Sequence, residues 1–368
     1  MKQFFRVQLS ILFCLFLSDF SHAQTELWGM TSFSSSIFKT DGNGLNLSVQ
    51  TRFGHENGSY SDGSLIEASN GKLYGMTRQG GKLRMGVLFE YDLITGLQTK
   101  LYEFDGVNGA SPSYGAALIE ASNGKLYGMT RYGGANGKGV LFDFDISTNT
   151  FTKLFDFGGT NGENPLGALM EASNGNLYGM TERGGANDKG VLFDFDISTN
   201  TFTKRFDFDG TNGENPIGSL MEASNGKLYG MANRGGANVY GVLFDFDIST
   251  NTFTKLYDFT PFAGRPYGQL IEVCIPVIRP DSAVLSDVVA ECSVSPVTPT
   301  AVEVCSGTLL TATPNEAFPI SGEGTTTEVT WTYDDGNGTT FIQTQNVIIQ
   351  DVTDPVMPTL AALTDECT

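Results

Sequence analysis

The sequence predicts an all-β chain: a five-bladed β-propeller over residues 24–273, sealed by strands from both its ends, then a small β-sandwich. Three observations carry this reading. The stretch Glu-Ala-Ser-Asn-Gly-Lys-Leu-Tyr-Gly-Met-Thr at 67–77 returns almost unchanged at 120–130, 171–181 and 222–232. Its Leu-Tyr-Gly-Met core begins at Leu73, Leu126, Leu177 and Leu228, at intervals of 53, 51 and 51 residues, the period of a propeller blade or a solenoid turn. The composition, with 45 Gly, 27 Phe and 13 Tyr, favours short strands joined by tight turns over helices.

Taken in order, residues 1–23 read as a secretory leader. Lys2 and Arg6 precede an apolar run at 7–17, shorter than the ~20 residues that span a bilayer, and Ser21-His22-Ala23 places the cut between Ala23 and Gln24. No later run is long enough for a transmembrane helix, so the mature chain is expected to be secreted or at the cell surface.

Each repeat holds four strand-like runs, in the third copy 167–172, 176–181, 190–196 and 202–208. Their apolar residues alternate or cluster as half-buried strands require. Asn174-Gly175 is expected to supply the positive φ angles of a hairpin turn, and Ser-Thr-Asn-Thr at 198–201 makes the next turn from residues that bond their own backbone. Third-strand runs begin near Ile37, Val87, Val140, Val191 and Val242, and fourth-strand runs near Leu47, Gln98, Phe151, Phe202 and Phe253. A divergent second strand lies at Leu27-Trp28-Gly29-Met30-Thr31. The count closes at five if residues 25–53 supply three strands of a blade whose first strand is 267–272. Pairing the two ends would remove free sheet edges.

The Leu-Tyr-Gly core, the Gly-Gly-Ala-Asn loop and the Gly-Val-Leu-Phe-Asp-Phe-Asp strand resemble the GloVer-type tandem repeat of predicted exported bacterial proteins, over about residues 25–272. The family pattern has a small residue or Thr where Met76, Met129, Met180 and Met231 stand. The resemblance implies a propeller-like surface protein and transfers no catalytic residue.

Beyond 273 glycine falls and Val, Pro and Thr rise. Residues 274–280 read as an extended linker. Residues 281–353, with Val-Thr-Trp-Thr-Tyr before Asp-Asp-Gly-Asn-Gly, resemble a hyalin-repeat (HYR) immunoglobulin-like module and fit a small β-sandwich. Residues 354–368 repeat the outline of 280–292 and are expected to begin a second module that the chain cuts short. Export permits disulfides, and Cys292 with Cys305, both inside one module, is the expected pair.

The net charge of −19 disfavours nucleic-acid partners, which require clustered cations. His55 is the one histidine beyond the leader, and no nucleophile motif or metal-ligand cluster accompanies it, so no enzyme activity, metal or cofactor is expected. Paired-carboxylate glycosidase chemistry would need unlike acids from different blades, whereas these blades are nearly identical. The recurring Glu67, Glu120, Glu171, Glu222 and Glu272 are expected to pair with turn lysines Lys72, Lys125 and Lys227, or otherwise to ring a central channel. Binding residues are expected in the loops after second strands: Arg78, Arg131, Arg183 and Arg234, with Tyr132, as repeated shallow pockets for a glycan or surface polymer. The expected role is a non-enzymatic scaffold for adhesion or ligand binding, with a multivalent lectin and then a glycoside hydrolase as alternatives.

Overall fold

The computed structural model describes residues 25–32, 35–112 and 117–351. The expected leader with its cut at Ala23 and Gln24, and the expected second module at 354–368, lie outside them. The chain divides into two compact units, 1–272 and 273–368.

The first unit is a succession of antiparallel sheets, each a meander of consecutive strands. The N-terminal sheet has three strands, Glu26–Thr31, Ser36–Asp41 and Ser48–Arg52. The next runs Ile66–Glu67, Lys72–Thr77, Val87–Asp92, Gln98–Glu103, and the next Ile119–Glu120, Lys125–Thr130, Val140–Asp145, Thr150–Asp156. The following sheet is built on Met170–Glu171, Asn176–Arg183, Val191–Asp196 and Thr201–Asp207, and the last on Met221–Glu222, Lys227–Ala232, Val242–Asp247 and Thr252–Asp258.

One cross-strand pair recurs in all five sheets. The glycine of the second strand faces a phenylalanine of the third: Gly29–Phe38, Gly75–Phe89, Gly128–Phe142, Gly179–Phe193 and Gly230–Phe244. The ring lies flat over the glycine, so that a Cβ there would sit 2.5–2.7 Å from the ring tip. The bulge between third and fourth strands falls at this same phenylalanine in every sheet, adding local twist. The N-terminal sheet shares both features, which marks it as a divergent copy of the repeat.

Neighbouring sheets are joined by aromatic packing. Tyr102 stacks on Phe151, Phe155 on Phe202 and Phe206 on Phe253, at centroid distances of 3.7, 3.9 and 3.8 Å. Phe104, Phe157 and Phe208 each meet the third-strand phenylalanine of the next sheet edge-on. Each fully buried Leu or Phe contributes about 1.5–3 kcal/mol by transfer from water, and the apolar clusters each draw on two adjacent sheets.

A polar clasp closes the same interfaces. Glu120 accepts hydrogen bonds from the Ser69 amide and hydroxyl at 2.7 and 2.6 Å; Glu171 does so from Ser122, Glu222 from Ser173 and Glu272 from Ser224. These four glutamates therefore bond to serines of the preceding sheet rather than to the turn lysines. The lysines reach third-strand acids instead: Lys72 to Glu90, Lys125 to Asp143 and Lys227 to Asp245. The reason is register, because Lys125 lies opposite Asp145 and its side chain spans to the buried Asp143.

The blade with Asn176 in place of lysine shows how strictly this charge is required. Asp194 is buried there, and Arg205 grips it through Nε and Nη2 at 2.7 and 3.0 Å. The bond to Asp194 raises the guanidinium further above its ordinary range. The equivalent positions in the other full sheets are Leu101, Leu154 and Leu256. Tyr178 sits beside this pair, its hydroxyl accepting from Asn174, and burial raises its pKa.

The turns and inner strands differ from expectation. In the Asn-Gly turns only the glycine takes positive φ, +81° at Gly175. The asparagine instead accepts from the amide two residues on and donates to the tyrosine hydroxyl, as Asn123 does to Lys125 and Tyr127. Inner strands are only two residues long. Successive inner segments press on one another: a Cβ on Gly167 would strike the Gly218 carbonyl, and one on Gly218 the Gly268 carbonyl. Residues 267–272 continue this course but form no strand, and Glu26–Thr31 pairs only with Ser36–Asp41 among the described residues. The expected sealing ladder is therefore absent. A two-residue ladder provides little drive, and Pro266 with Gly268 at φ +92° interrupts extended backbone.

The second unit gathers Ile278, Ala301, Val329, Trp331, Tyr333, Val347 and Ile349 into one core. Its long hairpin, Thr325–Asp334 with Thr340–Ile349, carries Val288–Ala290 in parallel on one edge and Thr313–Pro314 on the other. Trp331 donates to Gln345 and Tyr333 to Gln343. The disulfide joins Cys274 to Cys305, with Cα atoms 5.7 Å apart, and Cys292 is free and exposed. This corrects the expected Cys292–Cys305 pair. Antiparallel pairing of Ile278–Pro280 with Thr300–Glu303 brings Cys274 alongside Cys305. The segment 274–280 is thus tied into this unit rather than serving as a free linker.

Two outcomes follow. Gly128→Ala should lower unfolding free energy by about 1–3 kcal/mol, the usual cost of overpacking, and Phe142→Leu on that background should recover part of it; denaturant melts of the single and double variants measure both. Arg205→Leu should cost about 1–3 kcal/mol, because it leaves the buried Asp194 with only the neutral Asn176 amide as a side-chain partner. Adding Asn176→Lys should restore stability by recreating the lysine–aspartate arrangement of the neighbouring blades.

Candidate functional site

In the four sheets after the N-terminal one the second strand runs out into a Gly-Gly loop. At Gly133 and Gly134 φ is +80° and +79°, and a Cβ would strike the preceding loop at the first and the Asp156 carboxylate at the second. The loop is fixed from outside by Asp156, which accepts from the Ala135 amide and from Lys153. The Lys255 bond in the next-but-one copy holds the equivalent Asp258 below the usual carboxylate range. An asparagine from the following blade locks the residue before the loop: Asn164 donates to the Arg131 carbonyl and Asn215 to the Glu182 carbonyl.

Register within this frame shows that the four expected arginines are not equivalent. Tyr132, Arg183 and Arg234 occupy one column, bridging to Ala110, Glu163 and Glu214. Arg78, Arg131, Glu182 and Asn233 occupy the column before it. In that earlier column Arg131 reaches across to Glu182 at 3.0 Å, linking two blades. Arg78 pairs with the buried Asp62 at 2.7 Å and lies over the Tyr60 ring.

Arg131, Arg183 and Arg234 line one cavity of about 660 Å³. Glu182, Asn215, Asn233 and Ser219 complete its polar lining, with Leu166 and Ile217 as apolar wall. Gly167, Gly218 and Gly268 form its backbone side, and Tyr267 and Gln269 its last edge. The amides are pinned: Asn233 donates to the Pro266 carbonyl and Gln269 to the Leu220 carbonyl. Three of the four expected arginines thus line one cavity together. Arg78 is not among the lining residues. Tyr132 is not either; its ring lies beside Arg131, 5.2 Å from the guanidinium.

Glu182, Asn233 and the Tyr267–Gln269 segment were not anticipated. A signal existed, since Arg78, Arg131, Glu182 and Asn233 form a column that changes charge amid near-identical repeats. The cavity offers hydrogen-bonding and cationic groups, and its single carboxylate is ion-paired. Among the described residues no three or more His, Cys, Asp or Glu side chains are grouped to hold a metal ion, and no helix is long and apolar enough to cross a membrane.

Residues 113–273 match the model of the Gloeobacter/Verrucomicrobia repeat. This stretch contains the three most alike copies. No curated protein matches the chain. Among solved structures, the nidogen/laminin complex aligns with 78% of this chain and 89% of its own, at 11% identity and TM-score 0.43. TolB from Acinetobacter baumannii aligns with 87% of this chain and 66% of its own, at 13% identity and TM-score 0.41.

Proposed function

We propose that this chain is an exported, non-enzymatic scaffold of the cell surface or its surroundings that binds a ligand in the Arg131–Arg183–Arg234 cavity. The observation that carries the reading is convergence. Loops of successive repeats, alike in backbone, bring unlike side chains to one concave site of ligand-binding size. The lectin-like reading takes the same cavity with a glycan in it, as one site rather than five. Glycosidase chemistry receives less support, since it needs two acids flanking the bond and the lining holds Glu182 alone. On a glycan array the full chain should give hits that Arg131→Ala with Arg183→Ala abolishes; no hit on any glycan would sink the lectin form.

The architecture belongs to the same proposal: five blades, with the first and last meeting, and an HYR-like immunoglobulin-type sandwich after them. The sheet-to-sheet aromatic stack supports the ring. At the last blade Tyr257, the counterpart of Phe155 and Phe206, is 50% exposed, and at the first Leu47, the counterpart of Phe151 and Phe202, is 63% exposed. Each is the partner the other lacks. With Cys292 and Cys367 replaced by serine, Leu47→Cys and Tyr257→Cys should join through a short bismaleimide within one chain. Products that are only intermolecular, or none, would refute closure.

A further inference from the structure

Lysines of the repeat unit are held by acids, as Lys153 is by Asp156, Lys189 by Glu214 and Lys204 by Asp207. Arg183 and Arg234 differ. Both are exposed, and neither forms an ion pair within the described residues, although Glu163 and Glu214 lie across the strand from them: those acids are taken by Lys138 and Lys189. Both arginines occur among the residues lining this cavity, whose one carboxylate is already neutralised by Arg131. In a chain of net charge −19, this is a local excess of positive charge in a concave place, where low-dielectric walls concentrate the field.

We propose that the cavity takes a carboxylate-bearing saccharide, a uronate unit of an acidic polysaccharide. The inference rests on the ligand-binding reading above and narrows it. Guanidinium forks match carboxylates in geometry as well as charge, and the two arginines occupy the same position in adjacent repeats, 51 residues apart. The rest of the lining suits a sugar better than an acidic peptide. Asn233 and Gln269 are held in one orientation by their backbone bonds, which presets amide groups for hydroxyls at low entropic cost. Tyr267, 74% exposed, presents an aromatic face with a polar tip. A volume of about 660 Å³ falls within the range of small-molecule sites and accommodates a short oligosaccharide.

The test uses the full chain and calorimetric titration with short oligomers of galacturonate, glucuronate and mannuronate, their carboxyl-reduced neutral counterparts, and tri-glutamate. At least one uronate oligomer should bind at least tenfold tighter than its neutral counterpart, and the difference should shrink in high salt. Arg183→Gln with Arg234→Gln should remove that preference while leaving the melting temperature in place. Equal affinity for acidic and neutral oligomers would overturn the inference and leave the ligand-binding reading standing. Tri-glutamate binding as tightly as the uronates would overturn the saccharide class, and an unaffected double variant would overturn the site. Failure of every uronate overturns the inference, whereas a blank glycan array overturns the lectin reading itself.

Discussion

A flat phenylalanine over a glycine, repeated once per sheet, sets the geometry on which the first unit depends. The pair Gly128–Phe142 and its four equivalents let the third-strand ring lie down across the second strand. No other residue leaves that space, so the glycine of Leu-Tyr-Gly is fixed by a contact some fourteen residues away rather than by its own turn. The laid-down ring then becomes the surface that Phe104, Phe157 or Phe208 of the preceding sheet meets edge-on. Cross-strand pairing and sheet-to-sheet packing are thus one interaction seen from two sides.

The polar interactions follow this frame. Once sheets pack at constant spacing, a recurring glutamate meets the serine of the preceding hairpin, while register within each sheet brings a lysine to a third-strand acid. The exchange of Lys for Asn176 together with Leu for Arg205 shows that charge at this place is conserved in sum while its source moves. A buried carboxylate without a cation is costly, and the fold allows two neighbouring positions to supply one. The same constancy of backbone gives the cavity its character. Glycines hold the loops in place, so unlike side chains can gather at the loop mouths without disturbing the frame.

How legible this was depended on the range of the interaction. The repeat, the strand order within a blade and the Gly-Gly loops stand in the sequence because they rest on short-range periodicity and turn chemistry. The arginines were visible as residue types, but Arg78 and Arg131 could not be separated from Arg183 and Arg234 without register, since one residue along a strand changes the column. The disulfide failed for a similar reason: Cys292 and Cys305 are closer in sequence, but pairing of Ile278–Pro280 with Thr300–Glu303 decides which sulfur reaches which.

By itself the sequence determined that the chain is built of repeated all-β units with glycine and asparagine at the turns, because local spacing suffices for that. Only the tertiary structure decided that the recurring glutamates clasp the blade before them, that Cys274 takes Cys305, and that three arginines from three blades line one cavity. Each of these joins residues tens of positions apart, and such meetings are set by how sheets stack, which no single repeat contains. The opening stretch at 67–77 is accordingly the hairpin that joins the first two strands of a sheet, and the candidate site lies just past it, where the repeats cease to agree.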